Sequence, residues 1–346
     1  MTRIVVLGGR GWFGAAAAAS LLRDGGHPLV ASRRPGADLM IDAEDPASVR
    51  AALHERDVVI DAAGPFQRRS IALVESCLKL GCDVVDLSDS LDYARRLQAL
   101  GPRIERAGIR VLTSCSSVSA VSAALVRLIG VNNPVRVSAV LAPATKNTST
   151  AATARSLVST LERPINVWRG GAFVERRAFS ETRAFTFPSP IGHVSGRLGE
   201  SPDGLWLPPV WPTLRDVDFW IDTRRRALGA LLAAAARHRS LLRVVRGLQP
   251  AGRTVTKYFG ARSGGFAIEV EDAGGTPAAA GFVHETHSAV VAVAPAVLAA
   301  RALAAGRVGA TGLIPPDRHV DPWELLAWVE RAGVRPFGPG GDALRR

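Results

Sequence analysis

Six residues near the start of the chain carry the clearest chemical signal. Gly9-Arg10-Gly11-Trp12-Phe13-Gly14 fits G-x-G-x-x-G, between a short apolar run and an alanine-rich segment with helical character. That spacing suits a dinucleotide. The first glycine permits a tight turn, the second lets backbone approach a pyrophosphate, and the third lets the helix pack close to the strand. The helix start then offers free N–H groups and the positive end of its dipole. Arg10, Trp12 and Phe13 belong to the same turn. The competing explanation is a strand–helix corner with no ligand; its place in the first β-α unit of a parallel sheet argues against that. At the end of the second strand stand Ser32, Arg33 and Arg34, where an NAD-preferring site wants a carboxylate. A serine and two arginines suit a ribose 2′-phosphate, so NADP(H) is the expected cofactor. Asp42 is placed to accept from the adenine amino group. The small residues Ala62, Ala63, Gly64 and Pro65 leave room for the nicotinamide ribose.

Hydride transfer needs the accepting carbon held close to the nicotinamide and, in many reactions, a proton donor. His287, in "HETH" with His284, is the first candidate, because histidine titrates near neutrality. Lys146, in a loop after a strand, could hold a substrate anion or a proton. Tyr258 and Cys115 follow. Each has a plainer explanation as a packed or solvated side chain. His284 and His287 are three apart and face opposite sides of an extended strand, which argues against a metal pair. Cys77, Cys82 and Cys115 complete no zinc spacing, so reduced thiols and no metal site are expected.

The elements that must position these residues alternate in type. Strands at Arg3–Leu7, Pro28–Ser32, "DVVIDAAGPF", "CDVVDLSD" and "IRVLTSC" are separated by helices Trp12–Arg23, Pro46 to about Glu55, Ser70–Leu80 and Leu91–Ala107. Gly81 and Gly108 read as C-caps. Apolar strands alternating with helices predict a doubly wound parallel sheet of Rossmann type over residues 1–122. The rhythm then changes. Residues 123–287 hold a helix, strand "VRVSAVLAP", helix Ala151–Leu161, an aromatic, Pro- and Gly-rich stretch (Pro164–Asp216), and a β-pair turning at "DAGG". That is a mixed α+β domain for substrate and dimerisation, with Trp206, Trp211, Phe219 and Trp220 packing it. Residues 288–346, with helices, are expected to complete the first domain. Asp222–Leu248 reads as one basic helix, either solvated or docking on a membrane surface or an acidic partner.

The chain has 346 residues, a net charge of +12 carried almost wholly by arginine, and no apolar run long enough to span a bilayer. No basic stripe with interleaved aromatics points to nucleic acid. The first apolar run is too short for a signal-peptide core, so a cytoplasmic location is the default expectation.

At "VVIDAAGPFQ…CLKLGCDVVDLSD" the sequence resembles the saccharopine dehydrogenase-like family of NADP-binding oxidoreductases. "TSCSSVSAVSAALV", "PATKNTSTAATARSLVSTLERPINVWRGG" and "GATGLIPPDRHVDPWELLAWVERAGV" extend the resemblance along the chain. It implies a Rossmann domain with a mixed α/β substrate domain, a homodimer, and hydride transfer to a C=N or C=C bond of a small or carrier-bound metabolite. It places Phe66, Gln67, Ser88, Ser116 and Ser117 near the substrate. Where the family commonly has Gly-Glu after "DLS" this chain has Asp89-Ser90, and a usual proline is Ser119. No named substrate is therefore carried over. Two alternatives stand beside this expectation: an enoyl reductase acting in trans on a carrier-bound acyl chain, and a non-catalytic NADP(H) sensor or scaffold.

Overall fold

In the computed structural model of the chain, residues 2–148, 151–285, 288–342 and 344 are described. The elements of the first part are β1 (Ile4–Leu7), α1 (Trp12–Arg23), β2 (Leu29–Ser32), β3 (Leu39–Met40), α2 (Pro46–Ala52), β4 (Val58–Asp61), α3 (Ala72–Leu80), β5 (Asp83–Asp86), α4 (Leu91–Ala107) and β6 (Arg110–Leu112). Then come α5 (Ala120–Ile129), β7 (Arg136–Ala142), α6 (Thr145–Thr148), α7 (Ala151–Thr160), β8 (Pro164–Arg169), β9 (Ala172–Arg177), β10 (Thr182–Thr186), β11 (His193–Gly199), α8 (Asp203–Trp206) and β12 (Asp216–Asp222). The chain closes with α9 (Arg226–Arg237), α10 (Arg239–Phe259), β13 (Gly264–Glu271), β14 (Pro277–His284), α11 (Ser288–Ala304), β15 (Gly312–Leu313), α12 (Pro322–Arg331) and β16 (Arg335–Phe337). These elements divide into two compact units.

The first unit comprises Met1–Val121 and Ala292–Asp321. Its sheet runs β15-β6-β5-β4-β1-β2-β3, with every pairing parallel. Val5, Val6, Val58, Ile60, Val84, Val85 and Val111 are buried because both faces of such a sheet are covered. Each fully buried side chain of this size contributes about 1.5–3 kcal/mol. Local chemistry fixes the helices. Asp45 caps α2 by accepting from the Ala47 N–H at 2.9 Å, with Pro46 at the first position. Gly108 ends α4 at φ 70°, in the left-handed region. The sheet order reverses between β1 and β4, so the turns after those strands share the carboxyl edge at the switch point.

The second unit comprises Ser122–Val291 and Pro322–Arg346. Its nine-stranded mixed sheet runs β10-β11-β12-β7-β13-β14-β16, with β8 pairing β12 and β9. Only β12 and β7 run parallel among these pairs. Trp206, Trp211, Phe219 and Trp220 are buried in this unit, as their clustering suggested.

The aromatic stretch 164–216 holds β8 to β11 and α8; its strands are short and joined at turns such as Gly170-Gly171, both with positive φ, which hides their alternation. Two expectations are corrected here. The single basic helix is instead two, because His238 takes an extended conformation (φ −125°, ψ 111°) between α9 and α10. Residues 322–346 cluster with the second unit and not the first: β16 pairs antiparallel with β14, and Phe337 lies in the second core beside Phe187. Among the described residues no helix is long and apolar enough to cross a membrane.

Candidate functional site

The glycine turn is built by backbone contact. Gly8, at φ 73°, has backbone of Ala62 and Ala63 2.9 Å from where a Cβ would stand. A Cβ on Gly14 would lie 2.2 Å from the Gly8 carbonyl oxygen, so α1 packs directly on the end of β1. Gly11 donates to the Gly8 carbonyl at 2.8 Å and stands at the N-cap of α1. No side chain caps that helix, and its first turn holds no acidic residue. The first-turn N–H groups, including those of Trp12 and Phe13, thus face no competing anion. Gly11, Trp12 and Phe13 are exposed, whereas Gly9 and Gly14 are buried. An exposed, uncapped helix start behind a glycine turn fits a pyrophosphate.

The loop after β2 meets this turn. Arg10 donates to the Pro35 carbonyl. The Ser32 hydroxyl accepts from the Arg34 N–H at 3.1 Å, and Arg33 and Arg34 are exposed. Arg10 therefore reaches the loop that carries Arg33 and Arg34. Asp42 accepts from the Glu44 N–H at 3.0 Å, so one of its carboxylate oxygens holds its own turn.

The turn Ala62–Pro65 after β4 is held by a residue that sequence reasoning missed. Arg69 is buried and grips Asp61 with both terminal nitrogens, at 3.0 and 3.3 Å. It also donates to the Ala63 carbonyl and to Glu44, each at 2.6 Å. Asp61 in turn accepts from the Ala63 N–H at 2.9 Å. Burial works against the Arg69 charge, but Asp61 and Glu44 outweigh it and hold its pKa above the usual value. The signal was present: a buried aspartate ending an apolar strand needs a cation, and "QRRS" follows closely. Phe66, expected near the substrate, is turned into the core, with its ring edge-on to Tyr93 at 5.2 Å. Gln67 donates to Asp89 at 3.0 Å.

Asp86, at the end of β5, ties two neighbouring loops. Its Oδ1 accepts from the N–H groups of Ser88 and Ser114, both at 2.9 Å. Burial raises its carboxyl pKa to about 7, against the opposing effect of those two donors. The Tyr93 and Ser114 hydroxyls are buried without a hydrogen-bond partner among the described residues. Ser88 is fully buried and caps its own loop by accepting from Ser90. Ser116 is buried and Ser117 half-buried. Ser114 (φ 56°) and Ser119 (φ 65°) take left-handed conformations, which a proline at position 119 could not adopt.

In the second unit, the segments that carry two sequence candidates meet through their backbones. Lys146 donates its backbone N–H to the Ala261 carbonyl at 3.0 Å, and a Cβ on Gly260 would lie 2.6 Å from that nitrogen. Tyr258 is thus two residues from the point where α10 meets α6; its side chain is exposed. His284 reaches the same edge of the sheet: its Cε1 lies 2.8 Å from the Cβ position of Gly264, whose nearest neighbour is the Ala144 nitrogen. His287 lies outside the described residues. Cys115 is buried and unpaired.

A doubly wound parallel sheet with a glycine turn and an open helix start at its switch point defines a dinucleotide-binding Rossmann unit. Residues 4–112 match the saccharopine dehydrogenase NADP-binding domain. A saccharopine dehydrogenase-like oxidoreductase of Arabidopsis thaliana is 29% identical over 78 residues, 22% of this chain and 17% of that protein. A trans-acting enoyl reductase of Mycobacterium tuberculosis is 28% identical over 78 residues, covering 22% and 19%. The matched stretch thus spans less than a fifth of either relative. Saccharopine dehydrogenase (L-Glu forming) of Saccharomyces cerevisiae superposes with a TM-score of 0.62 at 14% identity, over 98% of this chain and all of that one, and so shares the fold. Residues 4–112 thus match a saccharopine dehydrogenase NADP-binding domain, and the chain as a whole shares the saccharopine dehydrogenase fold.

Proposed function

We propose that the chain is an NADP(H)-dependent oxidoreductase that moves hydride to a C=N or C=C bond of a small or carrier-bound metabolite, working as a cytoplasmic homodimer. The observation that carries this reading is the glycine turn at the switch point, inside the segment that matches an NADP-binding domain. The nicotinamide supplies the hydride when bound. The first-turn N–H groups of α1 hold the pyrophosphate, Arg33, Arg34 and Ser32 hold the 2′-phosphate, and Asp42 meets the adenine. Arg69 keeps Ala62–Pro65 in shape for the nicotinamide ribose by fixing Asp61 and the Ala63 carbonyl. Lys146 binds an anionic group of the substrate or holds a proton, with Tyr258 and His287 as further proton donors.

A second reading, reduction of a carrier-bound acyl chain in trans, draws support from the short match to the mycobacterial enoyl reductase. Purified protein with NADPH should be offered amine–carbonyl pairs that form imines, and enoyl thioesters, with NADPH absorbance followed. Oxidation with the first set supports imine reduction, and with the second, enoyl reduction. Cofactor binding without turnover on either would favour a sensor and overturn both.

A further inference from the structure

Apart from Tyr258, the basic helices α9 and α10 take no part in the proposed chemistry. Between Thr223 and Arg262 the sequence holds nine arginines and Lys257, and neither Asp nor Glu. One side of this helix pair is committed to the second unit's core, through Leu232, Ala233, Ala235, Leu241, Leu242 and Val245. The other side of α10 carries Val244, Leu248, Val255, Tyr258 and Phe259, each more than half exposed. At about 100° per residue these five fall within an arc of roughly 100°. Arg239, Arg243, Arg246 and Lys257 fall within roughly 60° on the opposite flank. Arg246 pairs with Glu162.

We propose that α10 lies on an anionic lipid surface, its apolar stripe seated in the headgroup boundary and its cations in contact with acidic headgroups. A solvated helix would keep its outer face polar. An acidic protein partner would satisfy the cations and leave the stripe in water, including two adjacent aromatic side chains. A stripe of Val, Leu, Tyr and Phe beside a basic flank, of which Arg246 alone has an ion-pair partner among the described residues, is the pattern of an interfacial helix. Tyr258 and Phe259, at the end of the helix, are residue types that settle at a membrane–water boundary.

Vesicle flotation tests this on the full chain, with phosphatidylcholine vesicles with and without phosphatidylserine. Wild type should float with the phosphatidylserine vesicles, should not float with phosphatidylcholine alone, and should be released by high salt. The Arg239→Glu/Arg243→Glu variant should lose at least about tenfold in vesicle partition. Leu248→Ser/Phe259→Ser, both changes at exposed positions, should lose partition as well, with thermal unfolding by circular dichroism unchanged. Wild type left unbound at low salt would overturn the proposal. So would both variants floating like wild type, or capture of an acidic carrier protein by this helix with vesicles unbound.

Discussion

The two units place their chemistry at sheet ends by different means. In the first, the site is backbone: Gly8, Gly11 and Gly14 bring α1 and the turn after β4 within contact of β1, and the buried Arg69–Asp61 pair fixes that turn. In the second, separate segments carry the proposed residues, with Lys146 on α6, Tyr258 near the end of α10 and His284 at the end of β14, and backbone contacts bring those segments close. The first arrangement tolerates little change and dictates residue types at fixed spacing. The second tolerates substitution wherever the side chain is exposed. A backbone site should therefore fail through folding and cofactor binding together, and a side-chain site through turnover alone.

The largest expected effect that sharpens this contrast is at Arg69. Arg69→Leu strands the buried Asp61 carboxylate, and urea denaturation should show a loss of about 3–5 kcal/mol. Next is Gly14→Ala, whose methyl would meet the Gly8 carbonyl: a loss of about 1–3 kcal/mol and of cofactor binding is expected from the same denaturation and from fluorescence titration. A stable Gly14→Ala protein that still binds cofactor would break the comparison.

Asp86 gives a smaller, pH-dependent effect. Its folded pKa is raised above the unfolded value near 4, so the folded state binds the extra proton between about pH 4 and 7. The native state is then penalised as pH rises through that window, by up to about 1.4 kcal/mol per pH unit. Asp86→Asn, which mimics the protonated form, should gain in Tm over wild type as pH rises from about 5 to about 8, and the two should converge in acid. Lys146→Ala should be the mildest for stability, within about 0.5 kcal/mol. With a substrate found by the screen, it should raise KM about tenfold or more, as loss of a charge-assisted bond does.

What could be read in the sequence follows the same division. G-x-G-x-x-G, the apolar strands and the caps at Gly81 and Gly108 were legible because backbone conformation restricts residue type locally. Arg69 was missed because two adjacent arginines in a loop carry no periodicity that marks one as buried, and only the need of Asp61 for a cation pointed to it. Phe66 was expected near the substrate, but its direction depends on Tyr93, which no local pattern reveals. The approach of the segments that carry Lys146, Tyr258 and His284 depends on strand register, with Gly264 opposite His284 and Gly265 opposite Ala142, which no local pattern encodes. Residues 322–346 were assigned by analogy of helix content, while their partner is the edge of β14.

The central claim is that the glycine turn and the Ser32-Arg33-Arg34 corner bind NADP(H). Fluorescence titration of wild type and Arg33→Ala with NADPH and with NADH tests it most directly. The account predicts tight NADPH binding, weaker NADH binding, and a loss in the variant of about 1–3 kcal/mol confined to NADPH. Equal affinity for the two cofactors would contradict the assignment of the arginines, and binding of neither would contradict the site itself.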